Sequence, residues 1–186
     1  MLPIVIMGEP VLHSPASRVG EITDEVKQLI ADMYDTMDAA PGVGLAAPQV
    51  GVGLRIFVYS YQDDDGNPWR GEIINPELWI GPLEPGAPDP DEESEGCLSF
   101  PGERFPLRRS DRALITGTDL EGAPVRIEVD GWRARILQHE FDHLDGVLYI
   151  DRLDDSDWKT TQKIARKRGW GRPGQSWMPG EDDIDA

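Results

Sequence analysis

Cysteine is almost missing from this 186-residue chain: Cys97 stands alone. No intramolecular disulfide can form, so the sequence carries no mark of an oxidising compartment. Histidine is nearly as scarce, with three residues, and 18 Lys and Arg face 35 Asp and Glu. The net charge of −17 argues against a broad nucleic-acid surface, which needs a basic footprint, so no DNA partner is expected. A charged leader followed by an apolar run is absent, and no stretch reaches the length of a membrane span. A cytoplasmic protein with no membrane partner is the expectation. The acids gather in stretches that read as loops and a tail, at Asp63–Asp65, Asp89–Glu95 and Glu181–Asp185, where they favour solubility.

Two of the three histidines fall in one short run, Gln138-His139-Glu140-Phe141-Asp142-His143. Residues four apart lie one above the other on a helix, so two imidazoles can meet one metal ion. Glu140 sits about 100° further round the helix. From there it can handle the proton of a water on that metal without being a ligand. The helix is plausible on its own terms. Asp130 can cap it, no proline interrupts it, and Trp132, Ile136, His139 and His143 share a face. His13 lies far away in sequence and is expected to bond locally without a role.

Around this helix the pattern is that of one compact domain. Residues 24–39 read as an amphipathic helix capped by Thr23 and stopped at Pro41-Gly42. Residues 1–20 read as an irregular arm, and Gly42–Gly51 as a loop whose backbone donors and Gln49 amide line a site. Strands are expected at 54–60, at 71–80 with a break at Asn75-Pro76, and at 147–150. Residues 112–118 and 125–129 read as a hairpin, and 156–169 as a final helix capped by Ser156. From 170 onward a Gly, Pro and Trp stretch runs into an acidic, loosely ordered tail.

A catalytic metal site needs three protein ligands and an open position. After His143 the sequence nearly continues a longer peptidase pattern, with Gly146 in register, but Tyr149 stands where that pattern has histidine. Asp145, Asp151 and Asp154 remain open as third ligands. Cys97 is the more economical choice, because a thiolate binds such metals strongly. A zinc endopeptidase would need a ligand downstream of His143. A purely structural metal would need a fourth ligand and leave Glu140 and Gln49 without purpose.

Three segments together resemble the motifs of the peptide deformylase family: Gly42-Val43-Gly44-Leu45-Ala46-Ala47-Pro48-Gln49, Glu95-Gly96-Cys97-Leu98-Ser99, and Gln138 to His143. The resemblance covers the chain to about residue 169. It implies a metal-dependent hydrolase that removes the formyl group from N-formylmethionyl nascent peptides and releases formate. It implies an α+β fold in one domain, small antiparallel sheets packed around a central metal-binding helix with further N- and C-terminal helices. The metal would be Fe²⁺, with Zn²⁺, Ni²⁺ or Co²⁺ able to replace it. On the resemblance, Cys97, His139 and His143 hold the ion, and Glu140 is general base and then acid for the attacking water. The Leu98 N–H and the Gln49 amide would donate to the formyl oxygen. Val43, Gly44 and Gly96 would hold an extended peptide. Val43, Ile136 and the stem of Arg104 would receive the methionine side chain.

One stretch departs from the acidic background. Lys159, Lys163, Arg166, Lys167, Arg168 and Arg172 are opposed only by Asp157. With a substrate class of nascent chains, one expectation is that this helix docks weakly and salt-sensitively on the phosphate-rich RNA of the ribosome. The other is an ordinary solvated face with cations near the negative end of its dipole.

Overall fold

The computed structural model describes residues 1–63 and 65–182. Asp64 of the first acidic run, and Asp183 and Asp185 of the last, lie outside the described residues. Short strand β1 (Ile4–Val5) and a 3-10 turn (Pro10–His13) open the chain. Helix α1 (Asp24–Ala39) follows, with the Thr23 hydroxyl accepting from the Val26 N–H at 3.4 Å as its cap. Then come β2 (Gly44–Ala46), a 3-10 turn (Ala47–Val50), β3 (Ile56–Gln62) and β4 (Pro68–Ile80). β5 (Ser94–Cys97) and β6 (Phe100–Pro106) form a hairpin, and β7 (Arg112–Thr118) and β8 (Pro124–Asp130) another. Helix α2 (Gly131–Leu144), a 3-10 turn (Tyr149–Arg152), helix α3 (Asp155–Arg168) and β9 (Ser176–Trp177) complete the order.

β2-β3-β4-β7-β8 make one antiparallel sheet in that order, while β5-β6 and β1-β9 are two-stranded pairs. Alternation along β3 explains why its first four residues, Ile56–Tyr59, are all apolar or aromatic and all buried. Ile56 and Val58 enter the cluster that holds Ile30, Met33 and Met37 of α1. Phe57 and Tyr59 enter the one that holds Ile136, Leu137 and Leu144 of α2. Both faces of the strand are covered, so neither residue set can be polar. Burying one such large side chain stabilises by about 1.5–3 kcal/mol. The α+β architecture expected from the sequence is the one observed, with α2 packed against β2, β3, β7 and β8.

Several local expectations fail for identifiable reasons. Gly42–Gly51 is not all loop: Gly44–Ala46 pairs with β3, opposite Tyr59, Val58 and Phe57. Residues 147–150 do not form a strand but lead into the 3-10 turn, because a short apolar run does not distinguish the two. Asp130 precedes α2 but its side chain makes no cap, and α3 is capped by Asp154, which accepts from the Ser156 and Asp157 N–H groups at 2.9 Å, rather than by Ser156. The β5–β6 hairpin carries no period-2 signal and was not expected. The break at Asn75-Pro76 is present as a register shift between Ile74 and Glu77. There Asn75 takes φ 53° and exchanges two side-chain hydrogen bonds with the Val19 backbone. Ser176 and Trp177 of the tail pair with Val5 and Ile4, and Trp177 is buried.

Candidate metal centre and active site

Helix α2 delivers the two histidines as the spacing requires. Their rings lie 5.0 Å apart between centroids, and His139 Nε2 is 3.3 Å from His143 Nε2. The end of β5 brings in Cys97, whose Sγ lies 3.3 Å from His143 Nε2. Ligand atoms of all three fall within 4.8 Å of one another. One thiolate and two imidazoles are the donor set that a divalent transition metal takes, with one position left open. The downstream alternatives are otherwise engaged. Asp145 pairs with Arg55 at 2.8 Å, Asp151 accepts from the Leu148 N–H, and Asp154 caps α3. Tyr149, at the position of the longer peptidase pattern, sends its hydroxyl to the Glu103 carbonyl instead. His13 bonds locally, accepting from the Gly8 N–H.

Glu140 lies in this site with its carboxylate almost fully buried and Oε2 without a hydrogen-bond partner among the described residues. Burial pushes its pKa up to about 7 against the opposing charge of His139. Gly44 explains how the carboxylate fits. A Cβ on that residue would overlap the Glu140 side chain, so the edge strand β2 must be bare there. Gln49 is buried beside them, and the Ala46 N–H holds its Oε1 at 2.8 Å. That bond fixes the amide so that Nε2 faces Cys97 Sγ, at 3.7 Å, and Ser99 Oγ, at 3.4 Å.

A cavity of about 560 Å³ joins these groups. Cys97, His139, Glu140, Gln49 and Leu98 line it, as do Val43, Gly44, Gly96, Arg104 and Ile136. Every residue that the family resemblance assigns to the site therefore reaches one place, except that His143 lies behind the lining, fully buried. Val43 is half-exposed at the mouth and Ile136 is buried in the wall. The Arg104 guanidinium is pinned to the Ser94 carbonyl at 2.7 Å, which lays its stem along the rim.

A charged cluster behind the ligands was not foreseen. Glu95 Oε1 lies 3.1 Å from His139 Nδ1 and 2.6 Å from an Arg109 nitrogen. Its Oε2 takes Arg109 Nε and Arg135 at 3.2 and 2.9 Å. Arg109 reaches on to Asp142 at 2.6 Å, and Asp142 also takes Arg152. Burial works against the charge on Glu95, but the bond from His139 and the Arg109 cation hold it well below the usual carboxylate range. With Nδ1 turned to that anion, His139 presents Nε2 to Cys97 and His143. Burial and the neighbouring His139 charge push His143 well below the ordinary imidazole value. Glu95 and Asp142 both sit inside the quoted motifs. Their acidity at otherwise apolar or ligand positions was the available signal, whereas nothing local marks Arg109.

Comparison with known proteins agrees with this arrangement. The Polypeptide deformylase family model matches residues 1–159. A peptide deformylase of Rhodococcus opacus is 52% identical over 184 residues, covering 97% of this chain and 94% of the relative. One from Mycolicibacterium paratuberculosis is 51% identical, covering 97% and 95%. Among solved structures, a peptide deformylase from Synechococcus elongatus in complex with actinonin superposes with a TM-score of 0.77 at 37% identity, covering 91% of this chain and 88% of that one. Likeness of that extent in sequence and in fold, over a chain whose three motifs meet at one cluster, places this protein in the peptide deformylase family.

Proposed function

We propose that this chain hydrolyses the formamide of N-formylmethionyl peptides, releasing formate and a free methionyl amine. The observation that carries the proposal is the Cys97, His139 and His143 cluster beside a buried Glu140 carboxylate with an unpartnered oxygen. Cys97 Sγ and the Nε2 atoms of both histidines would hold the metal. A divalent ion there supplies Lewis acidity and lowers the pKa of a water that it carries. Glu140 takes a proton from the attacking water, holds it on its carboxyl, and gives it to the departing nitrogen as the C–N bond breaks. The Gln49 amide, already aimed at Cys97, and the Leu98 N–H donate to the formyl oxygen as it gains charge. Fixed donors of this kind are each worth about 3 kcal/mol. The edge strand β2, at Val43 and Gly44, and Gly96 of β5 offer backbone to an extended peptide, as an added strand would use it. Val43, Ile136 and the Arg104 stem receive the methionine. Residues 1–169 carry every side chain of this proposed chemistry, and 170–186 follow as a C-terminal segment. Formate release from formyl-Met-Ala, without cleavage inside an acetylated peptide, tests the reaction and separates it from an endopeptidase.

Fe²⁺ is the native ion we assign, with Zn²⁺, Ni²⁺ or Co²⁺ able to use the same donors. The soft thiolate beside two imidazoles supports this group of ions. A thiolate next to a redox-active ion is exposed to oxidation. The iron form is therefore expected to lose activity in air, and the nickel form to keep it. Cys97→Ser is expected to lose or exchange its metal, read by metal analysis. A Cys97→Ser protein with full metal content and full formate release would remove Cys97 from the centre.

The substrate class places the work beside the ribosome, in the cytoplasm. The basic side chains of α3 support a weak contact there: Lys159, Lys163, Arg166, Lys167 and Arg168 are all exposed. Ribosome co-sedimentation should fall with salt. It should fall again when Lys163, Arg166, Lys167 and Arg168 are changed to Glu, while formate release is kept. Equal sedimentation of both proteins would discard the contact.

A further inference from the structure

The turn between β5 and β6 leaves its own backbone groups unpaired by the hairpin, because the register breaks between Gly96 and Cys97. Partners arrive from both ends of the chain. The Met7 N–H donates to the Ser99 carbonyl at 2.9 Å. The Trp177 indole N–H donates to the Leu98 carbonyl at 2.9 Å. Trp177 is held for this task. Its strand pairs with β1, opposite Ile4, and its ring is buried in the cluster that includes Leu98, Leu45 and Ala47. The segment before it is tied as well, Gly171 N–H to the Met7 carbonyl at 3.1 Å and Ile6 N–H to the Gln175 carbonyl at 3.0 Å. On the other side of Leu98, no described residue accepts from its N–H, the donor aimed at substrate in the proposed reaction.

We propose that Trp177 is a positioning residue for formyl hydrolysis, holding the Leu98 backbone so that its N–H meets the developing oxyanion. This rests on the deformylase reading, in which the Leu98 N–H is a donor. An indole N–H only donates, and a packed ring leaves it one direction. The Leu98 carbonyl is thereby fixed, and with it the Leu98–Ser99 peptide plane, whose Ser99 N–H donates to Cys97 Sγ at 3.4 Å and which joins the plane of the Leu98 donor at one α-carbon. Loss of the bond leaves a buried carbonyl unpaired and the turn free to shift, and small misplacements near the reacting atoms are costly. Trp177 stands in the C-terminal segment, beyond the residues that the family model matches.

The test compares Trp177→Phe with an isosteric variant in which residue 177 carries sulfur in place of the indole N–H, so that packing is retained. Both holoenzymes are expected to lose about tenfold in kcat, the upper range for one hydrogen bond. KM and the metal content should stay unchanged. Met33→Ala, which opens the same core cluster from α1, should lower the melting temperature and leave kcat in place. Unchanged kcat in the isosteric variant overturns the assignment, and so does a loss of rate that merely follows lost metal. A parent protein that releases no formate would instead overturn the reaction on which the assignment rests.

Discussion

Glu140→Gln is expected to keep its metal and lose at least about 10²-fold in turnover, the lower range for removing a general acid–base group. The three ligand atoms come from Cys97, His139 and His143, so the amide leaves metal binding alone. It also fills the same volume against Gly44, where there is no room for a bulkier group. What it lacks is the ability to take a proton from water and return it to the leaving nitrogen. Steady-state formate release and metal analysis on one preparation separate the two effects. Near-parental turnover in the metal-loaded variant would take Glu140 out of the mechanism.

Removal of Arg109 has the largest expected effect on stability. Its side chain is 5% exposed and lies between Glu95 and Asp142, which are 5% and 9% exposed. Arg109→Met leaves both carboxylates buried and short of a cation, which costs on the order of 3–5 kcal/mol. Arg135 and Arg152 still reach them, which favours the lower end of that range. Arg152→Met is the comparison. That side chain also contacts Asp142 but is 49% exposed, and its loss is expected to cost under about 1 kcal/mol. Denaturation midpoints of the two variants decide the matter. Equal, small losses would show that the cluster is held by packing and not by its charges.

The parts of this molecule that were legible in the sequence are those written in a local period. Two histidines four apart name a helix face, and α1 shows its apolar stripe and its Thr23 cap within one stretch. The hairpin of β7 and β8 is marked by Glu121-Gly122 between two alternating runs. What stayed hidden is assembled from distant pieces. Arg109 stands in no pattern, and it matters only because the β6–β7 connection passes behind α2, where Glu95 and Asp142 wait. Trp177 reads as part of an acidic tail until β1 pairs with its strand. The carboxylates after His143 offered themselves as ligands, and only the fold shows Arg55, the Leu148 N–H and the start of α3 taking them.

The central claim is that one metal ion, held by Cys97, His139 and His143, serves formyl hydrolysis in this chain. Its most direct measurement is a titration of metal-free protein with Fe²⁺ under anaerobic conditions, following bound metal and formate released from formyl-Met-Ala together. Formate release should rise in proportion to bound ion and level off at one ion per chain, and a His143→Ala protein should show neither the binding nor the activity. Undiminished formate release from the metal-free protein, or full activity in His143→Ala, would contradict the account.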